Sequence, residues 1–480
     1  MPKGKSYDSR SSKAPKRARV VPDPLPQLPQ EILEQIFLNL NARDLLHVRR
    51  TCLRWRDAVG SCSGLRDKFR LTYPPRKFWM TIPKPPGTVP ASTVEFQLFS
   101  KYLKIGDIDP WWPQIASTVT CLVMTRCEFP LNMLRHAPNL KSLELYFARI
   151  GGSHRVNFKL NNLRSLSLKY TESLECVIDI DSKHCVIAEL IQSSKSSLKK
   201  LVLDVSKRYL KTISLPDFAQ AHRSIDELTI VNSTDDDAML KILQASTNLK
   251  RLKLKYPMPS DDDYDGILMI PNLEWHLPKL QELVIISFFL KGESLCRSLR
   301  SSPNLRSMIL VRCEFESWNQ LFRLITQPKS LCSLTFTRFY CIKKDEDEPI
   351  LTNPSESLRY LRIRANRRVQ LPSAKVFALF PHLTELIHVL DYQLSDVLVK
   401  EACRTLTRLE RLTMGDGRTT THCAVAYIRR YCRDLKHLTL LGYWRLKKTD
   451  KQYLEQNMVS FRLCRIDWLR FDNDSEDDLI

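Results

Sequence analysis

Glycine is scarce, with 12 residues in 480. Loops that cradle phosphate need it, and none of G-x-x-x-x-G-K, G-x-G-x-x-G or G-x-S-x-G occurs. Gly415-Asp416-Gly417 is too short for that purpose. H-E-x-x-H is missing as well, and the ten histidines are scattered. His382 and His388 lie six apart, a spacing that suits surface or packing roles rather than a metal. The 14 cysteines contain no C-x-x-C pair, so reduced, mostly buried thiols are expected. Cys121 and Cys127 are spaced by strand geometry, not ligand geometry. These absences exclude the common catalytic and metal classes, and no cofactor is implied.

Long apolar runs are also lacking. Nothing approaches the roughly 20 continuous apolar residues that span a bilayer. Runs such as Val284–Ile286 and Phe288–Leu290 are strand-sized. The chain opens Met-Pro-Lys-Gly-Lys with no hydrophobic signal core behind it. No membrane partner is expected, and the expected location is cytoplasm or nucleus.

Positive charge is abundant, +21 in formal terms. It favours acidic partners without choosing among nucleic acid, phosphorylated protein and anionic surfaces. Residues 1–24 are rich in Ser, Lys, Arg and Pro and read as a disordered basic tail. Within it, Lys13, Lys16, Arg17 and Arg19 form a compact cluster with the composition of a nuclear-import signal.

The pattern changes at Leu25. Pro29 sits where a helix begins, and Ile32, Leu33, Ile36, Phe37 and Leu40 recur at helical spacing. A second segment carries Leu45 and Leu46, and a third places Val48, Cys52, Trp55 and Val59 on one face. Three short helices in about 40 residues bury too little surface for high stability alone. Such a unit gains from docking its remaining apolar face on something else. Residues 73–118 read as a semi-rigid connector: Pro74, Pro75, Pro83, Pro85, Pro86 and Pro90 disfavour regular helices. Trp111-Trp112-Pro113 closes it against the next domain.

From residue 119 the chain repeats the unit L-x-x-L-x-L. It begins at Val119, Leu140, Leu163, Leu198, Ile225, Leu249, Leu280, Leu305, Leu331, Leu358, Leu383, Leu409, Leu435 and Phe461. The mean step is about 26 residues, the signature of a solenoid. The x-L-x-L stretch alternates as a short strand must. Thr421, Ser395 and Ser373 each precede helically spaced apolar residues and read as caps of return helices. Prolines stop the return before the next strand, as in Pro138-Asn139-Leu140 and Pro303-Asn304-Leu305. The acidic runs Asp261–Asp263 and Asp345–Glu348 read as rim loops. Residues 469–480 form an acidic tail.

Leu28-Pro29-Gln30-Glu31-Ile32-Leu33, with Ile36, Phe37 and Leu40, then Asp44-Leu45-Leu46 and Cys52-Leu53-Arg54-Trp55, closely resembles an F-box. The repeats resemble the cysteine-containing leucine-rich-repeat subclass, with Cys127 and Cys313 after their strands. The implied fold is α/β: a small three-helix F-box at 25–72, the connector at 73–118, then a curved leucine-rich-repeat solenoid at 119–468. Parallel strands line the inside and helices the outside, in about 14 repeats.

The resemblance implies the substrate-recognition subunit of a Skp–cullin–F-box ubiquitin ligase, itself non-catalytic. Its partners would be a Skp-type adaptor, through it cullin and RING subunits, and a protein substrate destined for ubiquitination. Adaptor contact is expected from Leu28, Pro29, Ile32, Leu33, Ile36, Leu40, Leu45, Leu46, Val48 and Trp55. Some of these must instead pack the unit internally, and the sequence does not divide them.

In L-x-x-L-x-L-x, the x positions beside the inward leucines point to the concave face. Arg251, Lys253, Lys255, Arg362 and Arg364 fall there, flanking the aliphatics Val284 and Ile309. The expectation is contact with an acidic or phosphorylated substrate segment. Yet Glu144, Asp204, Glu227, Glu282 and Glu385 share that face, so the surplus charge is not concentrated on it. The rival reading is a basic repeat scaffold binding nucleic acid or chromatin partners. It lacks the interleaved aromatic platform of single-strand binders.

Overall fold

The computed structural model describes residues 28–73, 91–97, 111–126, 128–151, 158–169, 186–204, 210, 214, 219–231, 236–256, 274–290, 293–341, 353–365, 374–390, 394–415 and 420–464. The basic tail with Lys13, Lys16, Arg17 and Arg19, both acidic rim runs, Cys127 and the acidic tail lie outside them.

The helical unit comprises α1 (Gln30–Leu38), α2 (Ala42–Thr51), α3 (Leu53–Ser61) and a single turn α4 (Ser63–Arg66). Pro29 is the N-cap of α1. Asn41 caps α2: its Oδ1 accepts the Asp44 amide at 3.0 Å while its Nδ2 donates to the Asp44 carboxylate at 2.8 Å. Leu33, Phe37, Leu45, Ala58, Val59 and Leu65 fill the interior.

The rest is built on one parallel sheet of 16 strands, with return segments between them and two small sheets of three and two strands beside it. In chain order they are β1 (Arg70–Tyr73), β2 (Thr93–Gln97), β3 (Cys121–Thr125), β4 (Ser142–Tyr146), β5 (Ser165–Lys169), β6 (Lys200–Asp204), β7 (Glu227–Val231) and β8 (Arg251–Lys255). They continue as β9 (Glu282–Ile286), β10 (Ser307–Val311), β11 (Ser333–Thr337), β12 (Tyr360–Ala365), β13 (Glu385–Leu390), β14 (Arg411–Met414), β15 (His437–Leu441) and β16 (Ser460–Cys464). At about 4.8 Å per strand the sheet is roughly 70 Å long. Its inward rungs stack in register, as in Leu228, Leu252, Leu283 and Met308. All four are buried.

The sheet departs from the sequence reading at both ends. It starts at Arg70, inside the segments read as F-box and connector, because β1 and β2 carry Leu71-x-Tyr73 and Val94-x-Phe96 in the inward rungs. The aromatics replace the last leucine of the unit, and the surrounding prolines disguise it. At the far end Phe461 pairs with Leu438 and Leu463 with Leu440, so the final repeat starts at Met458 rather than Phe461. The return segments mix helix types. Ser395 and Thr421 cap helices Asp396–Thr405 and His422–Tyr431 as expected, accepting from Leu398 and Cys423 amides at 3.3 and 3.1 Å. Ala374–Leu379, expected as a return helix behind Ser373, is a 3-10 helix.

Two devices join neighbouring repeats. Asn139, Asn162, Asn248 and Asn304 each donate from Nδ2 to a backbone carbonyl of the preceding repeat at 2.7–2.9 Å. The residue after many strands is left-handed: Arg126, Phe147, Ser287, Arg312, Arg338 and Gly442 have φ of 49–81°. Their amides extend the ladder by one bond, as from Arg312 to the Thr337 carbonyl at 2.8 Å. Five of the six are not glycine, so the bend carries backbone strain that the surrounding stack holds in place.

His388 shows how far the inward rungs are desolvated. It pairs in register with Ile363 and Met414, is fully buried, and its Nε2 has no hydrogen-bond partner among the described residues. Burial lowers its pKa to about 4. Below pH 6.5 the unfolded chain therefore binds a proton that the folded chain refuses until about pH 4. Stability is complete above pH 6.5 and falls as pH drops through that window, by about 3 kcal/mol in all. His388→Met, copying the neighbouring Met414, should flatten this part of the pH–stability curve in denaturant titrations.

Candidate functional site

Burial supplies the division among the ten F-box positions that the sequence left open. Leu33 and Leu45 are fully buried and face the unit's own core, which removes them from any adaptor surface. Leu28, Leu40, Val48 and Trp55 are half-buried and pack against that core; Trp55 meets Phe37 edge-on at 5.4 Å. Ile32, Ile36 and Leu46 are 39%, 44% and 40% exposed, and Pro29 is exposed as well. Ile32 and Ile36 lie one turn apart on α1, hence on one face. Leu38 and Leu53, at 45% and 59%, add exposed apolar area that the motif did not single out. Ten large apolar side chains are exposed among the described residues, and half of them fall between Ile32 and Leu53. That density marks a surface built to be covered.

The unit is held rigidly to the solenoid. Lys68 Nζ donates to the carbonyls of Leu38 and Leu40, and Phe69 is buried in the same apolar cluster as Tyr73 and Val94. Tyr73 stacks on Phe96 at 5.0 Å, and Trp112 lies 6.3 Å from Phe96. Trp112 Nε1 donates to the Met133 carbonyl at 2.8 Å. Burial keeps the Tyr73 hydroxyl protonated well beyond its ordinary range.

On the sheet face opposite the inward leucines, the basic residues of the expected middle site are engaged with neighbours, and one of its aliphatics is buried. Arg251 is paired with Glu227 at 3.2 Å and Glu282 at 3.4 Å, in a row that continues from Glu227 to Lys200 at 3.6 Å. Lys253, Lys255 and Arg364 are engaged too. Arg362 has its Nε buried. Val284, expected as an exposed aliphatic, is 3% exposed. It packs with Ile286, Val311 and the half-buried Ile309 in an apolar cluster separate from the main core. Cross-strand aliphatics on adjacent rungs satisfy one another instead of waiting for a ligand.

Among the described residues a concavity opens at the sheet's first strands, which the leucine pattern does not mark. It holds about 670 Å³. Its lining includes Arg70, Glu95, Cys121, Arg126, Glu144 and Tyr146. The buried Glu95 carboxylate accepts from Arg70 and Gln97 at 2.5 Å each. Tyr146 donates to Glu144 at 2.9 Å, and the Lys169 ammonium lies 5.0 Å from the Tyr146 ring centre. Burial, then the Glu144 carboxylate, raises the Cys121 pKa, which keeps its thiol neutral. Among the described residues no group of three or more potential metal ligands exists, and no helix is long and apolar enough to cross a membrane.

An F-box-like helical domain carried on a leucine-rich-repeat solenoid is the class these features define. The family model described as F-box-like matches residues 25–65. Among solved structures, an internalin from Listeria monocytogenes is similar at 12% identity, covering 73% of this chain and 88% of that one, with a TM-score of 0.41. A leucine-rich-repeat protein of Leptospira interrogans is similar at 15% identity, covering 69% and 91%, with a TM-score of 0.33. No curated protein matches the chain.

Proposed function

We propose that this protein is the substrate-recognition subunit of a Skp–cullin–F-box ubiquitin ligase acting in the cytoplasm or nucleus. The observation that carries the reading is the exposed apolar surface of Ile32, Ile36, Leu46 and Leu53 on a unit that an F-box-like model matches. F-box domains generally bind Skp-type adaptors, and repeat sheets generally bind proteins along their open face. The chain then acts by holding two partners at a fixed separation, and the chemistry of transfer belongs to the other subunits. The open concavity between Arg70 and Tyr146 is where a substrate segment would dock, with proteasomal degradation as the outcome. Co-expression of the full chain with a Skp-type adaptor and cullin tests this directly. A stable complex that ubiquitinates a captured protein is expected, and a chain that purifies free of adaptor overturns the reading.

A further inference from the structure

Positive charge that the concave face does not concentrate gathers along one rim of the sheet. The residue immediately before each strand stands on that rim. From β4 to β12 the position is filled by Lys141, Arg164, Lys199, Lys250, Arg306 and Arg359, six cations in nine places, and Asp226 is the one acid. The backbone makes this a continuous row. Each amide donates to the carbonyl of the same position one strand back, from Arg164 on Lys141 at 2.8 Å to Arg359 on Cys332 at 2.9 Å. All six cations are exposed. Lys250 meets Asp226 at 3.6 Å, a weak exposed pair. The Lys199 ammonium rests on the Ser224 carbonyl at 3.1 Å. No carboxylate among the described residues engages Lys141, Arg164 or Arg306.

The surroundings of the row decide what it fits. A protein partner needs buried apolar or aromatic anchors, and lysine is depleted where proteins meet. None of the exposed large apolar side chains among the described residues stands on this stretch of rim. Surfaces that hold nucleic acid are instead polar and rich in cations. Single strands call for stacking aromatics, and the nine positions include none. A duplex presents regularly spaced phosphates and asks for no stacking. Eight steps of about 4.8 Å make the row roughly 38 Å long, the rise of about 11 base pairs.

We propose that this rim binds the phosphate backbone of double-stranded nucleic acid without reading its sequence. The six cations each neutralise one phosphate, so affinity should fall with salt on a log–log slope of roughly 5. The rim is a second docking surface, separate from the exposed apolar face of the helical unit and from the concavity at the first strands.

Titration of DNA and RNA duplexes of about 20 base pairs against the full chain tests the rim. In every protein the basic tail is silenced by Lys13→Ala, Lys16→Ala, Arg17→Ala and Arg19→Ala. Lys141→Gln/Arg164→Gln/Arg306→Gln should weaken duplex binding at least tenfold at low salt and lower the salt slope by about 3, with an unchanged thermal midpoint. Arg445→Gln/Lys447→Gln/Lys448→Gln removes the same charge beyond β15 and should leave binding within about twofold. Tight binding of either duplex supports the proposal, and the tighter of the two identifies the source of the phosphates. Binding of neither overturns it. Equal losses in the two variants overturn it as well, because they reduce the effect to net charge. Tighter binding of a Glu-rich peptide than of both duplexes would assign the rim to an acidic polypeptide and overturn it too.

Discussion

A chain carrying Ile36→Asp and Leu46→Asp is expected to lose adaptor affinity by about a hundredfold or more, with a near-native thermal midpoint. The magnitude corresponds to about 2.7 kcal/mol, an ordinary cost for placing carboxylates at the centre of an apolar interface. The fold tolerates them because both side chains are already about two-fifths exposed. Surface changes of that kind shift stability by about half a kcal/mol. The contrast with Leu33→Asp is instructive. Leu33 is fully buried, so a carboxylate there would be stranded without a partner and the unit would unfold. Loss of adaptor would then say nothing about the interface. Pull-down against the purified adaptor, read beside circular dichroism, separates the two cases. Undiminished capture by the double variant would place the interface elsewhere.

Trp112→Ala should cost stability on the order of 4 kcal/mol. Trp112 is fully buried, packs near Phe96 and reaches across to the Met133 carbonyl. Removal leaves a cavity beside Phe96 and an acceptor without its donor. Trp112→Phe retains much of the volume and drops only the donor, so it should cost about 1–2 kcal/mol. Because repeats contact only their neighbours, the loss should be felt first in the opening strands. Denaturant unfolding should therefore split into an early phase reporting residues near Trp112 and a later one from the distal repeats. A single unshifted transition in Trp112→Ala would show that the aromatic junction contributes little.

Much of this architecture was legible in the sequence. The leucine spacing located the strands from β3 to β15, because a buried rung every second residue leaves a period that insertions between strands do not erase. The F-box-like motif was legible for the same reason: its apolar positions are dictated by helix contacts. What escaped had physical causes. β1 and β2 use Tyr73 and Phe96 where leucine was sought, so a leucine template passes over them. Met458 opens the last repeat, and a template anchored on Phe461 slipped by three residues. The open concavity depends on which side chains across four strands fail to meet, which no linear pattern encodes. The ion pairing of the middle basic stripe was hidden in the sequence for a related reason. Arg251 meets Glu227 and Glu282 from neighbouring strands, carboxylates that are distant in sequence and adjacent in space. Two of the four Asn bridges, from Asn139 and Asn304, sit in a Pro-Asn-Leu run, but only the stack shows that the Asn amide joins neighbouring repeats.

The apolar cluster that begins at Leu33 runs without interruption through Phe69, Val94 and Trp112 to Leu454. The helical unit is therefore not a portable module. Excised at Arg66 it would forfeit the packing of Leu65 and Phe69 and the hydrogen bond from the Thr93 amide to the Phe69 carbonyl. Whatever grips the helices grips the whole shell of strands with them. On the proposed function, cargo resting near Arg70 would be presented at a set height and angle, and the choice of which lysine is modified would fall to geometry rather than to the swing of a tether.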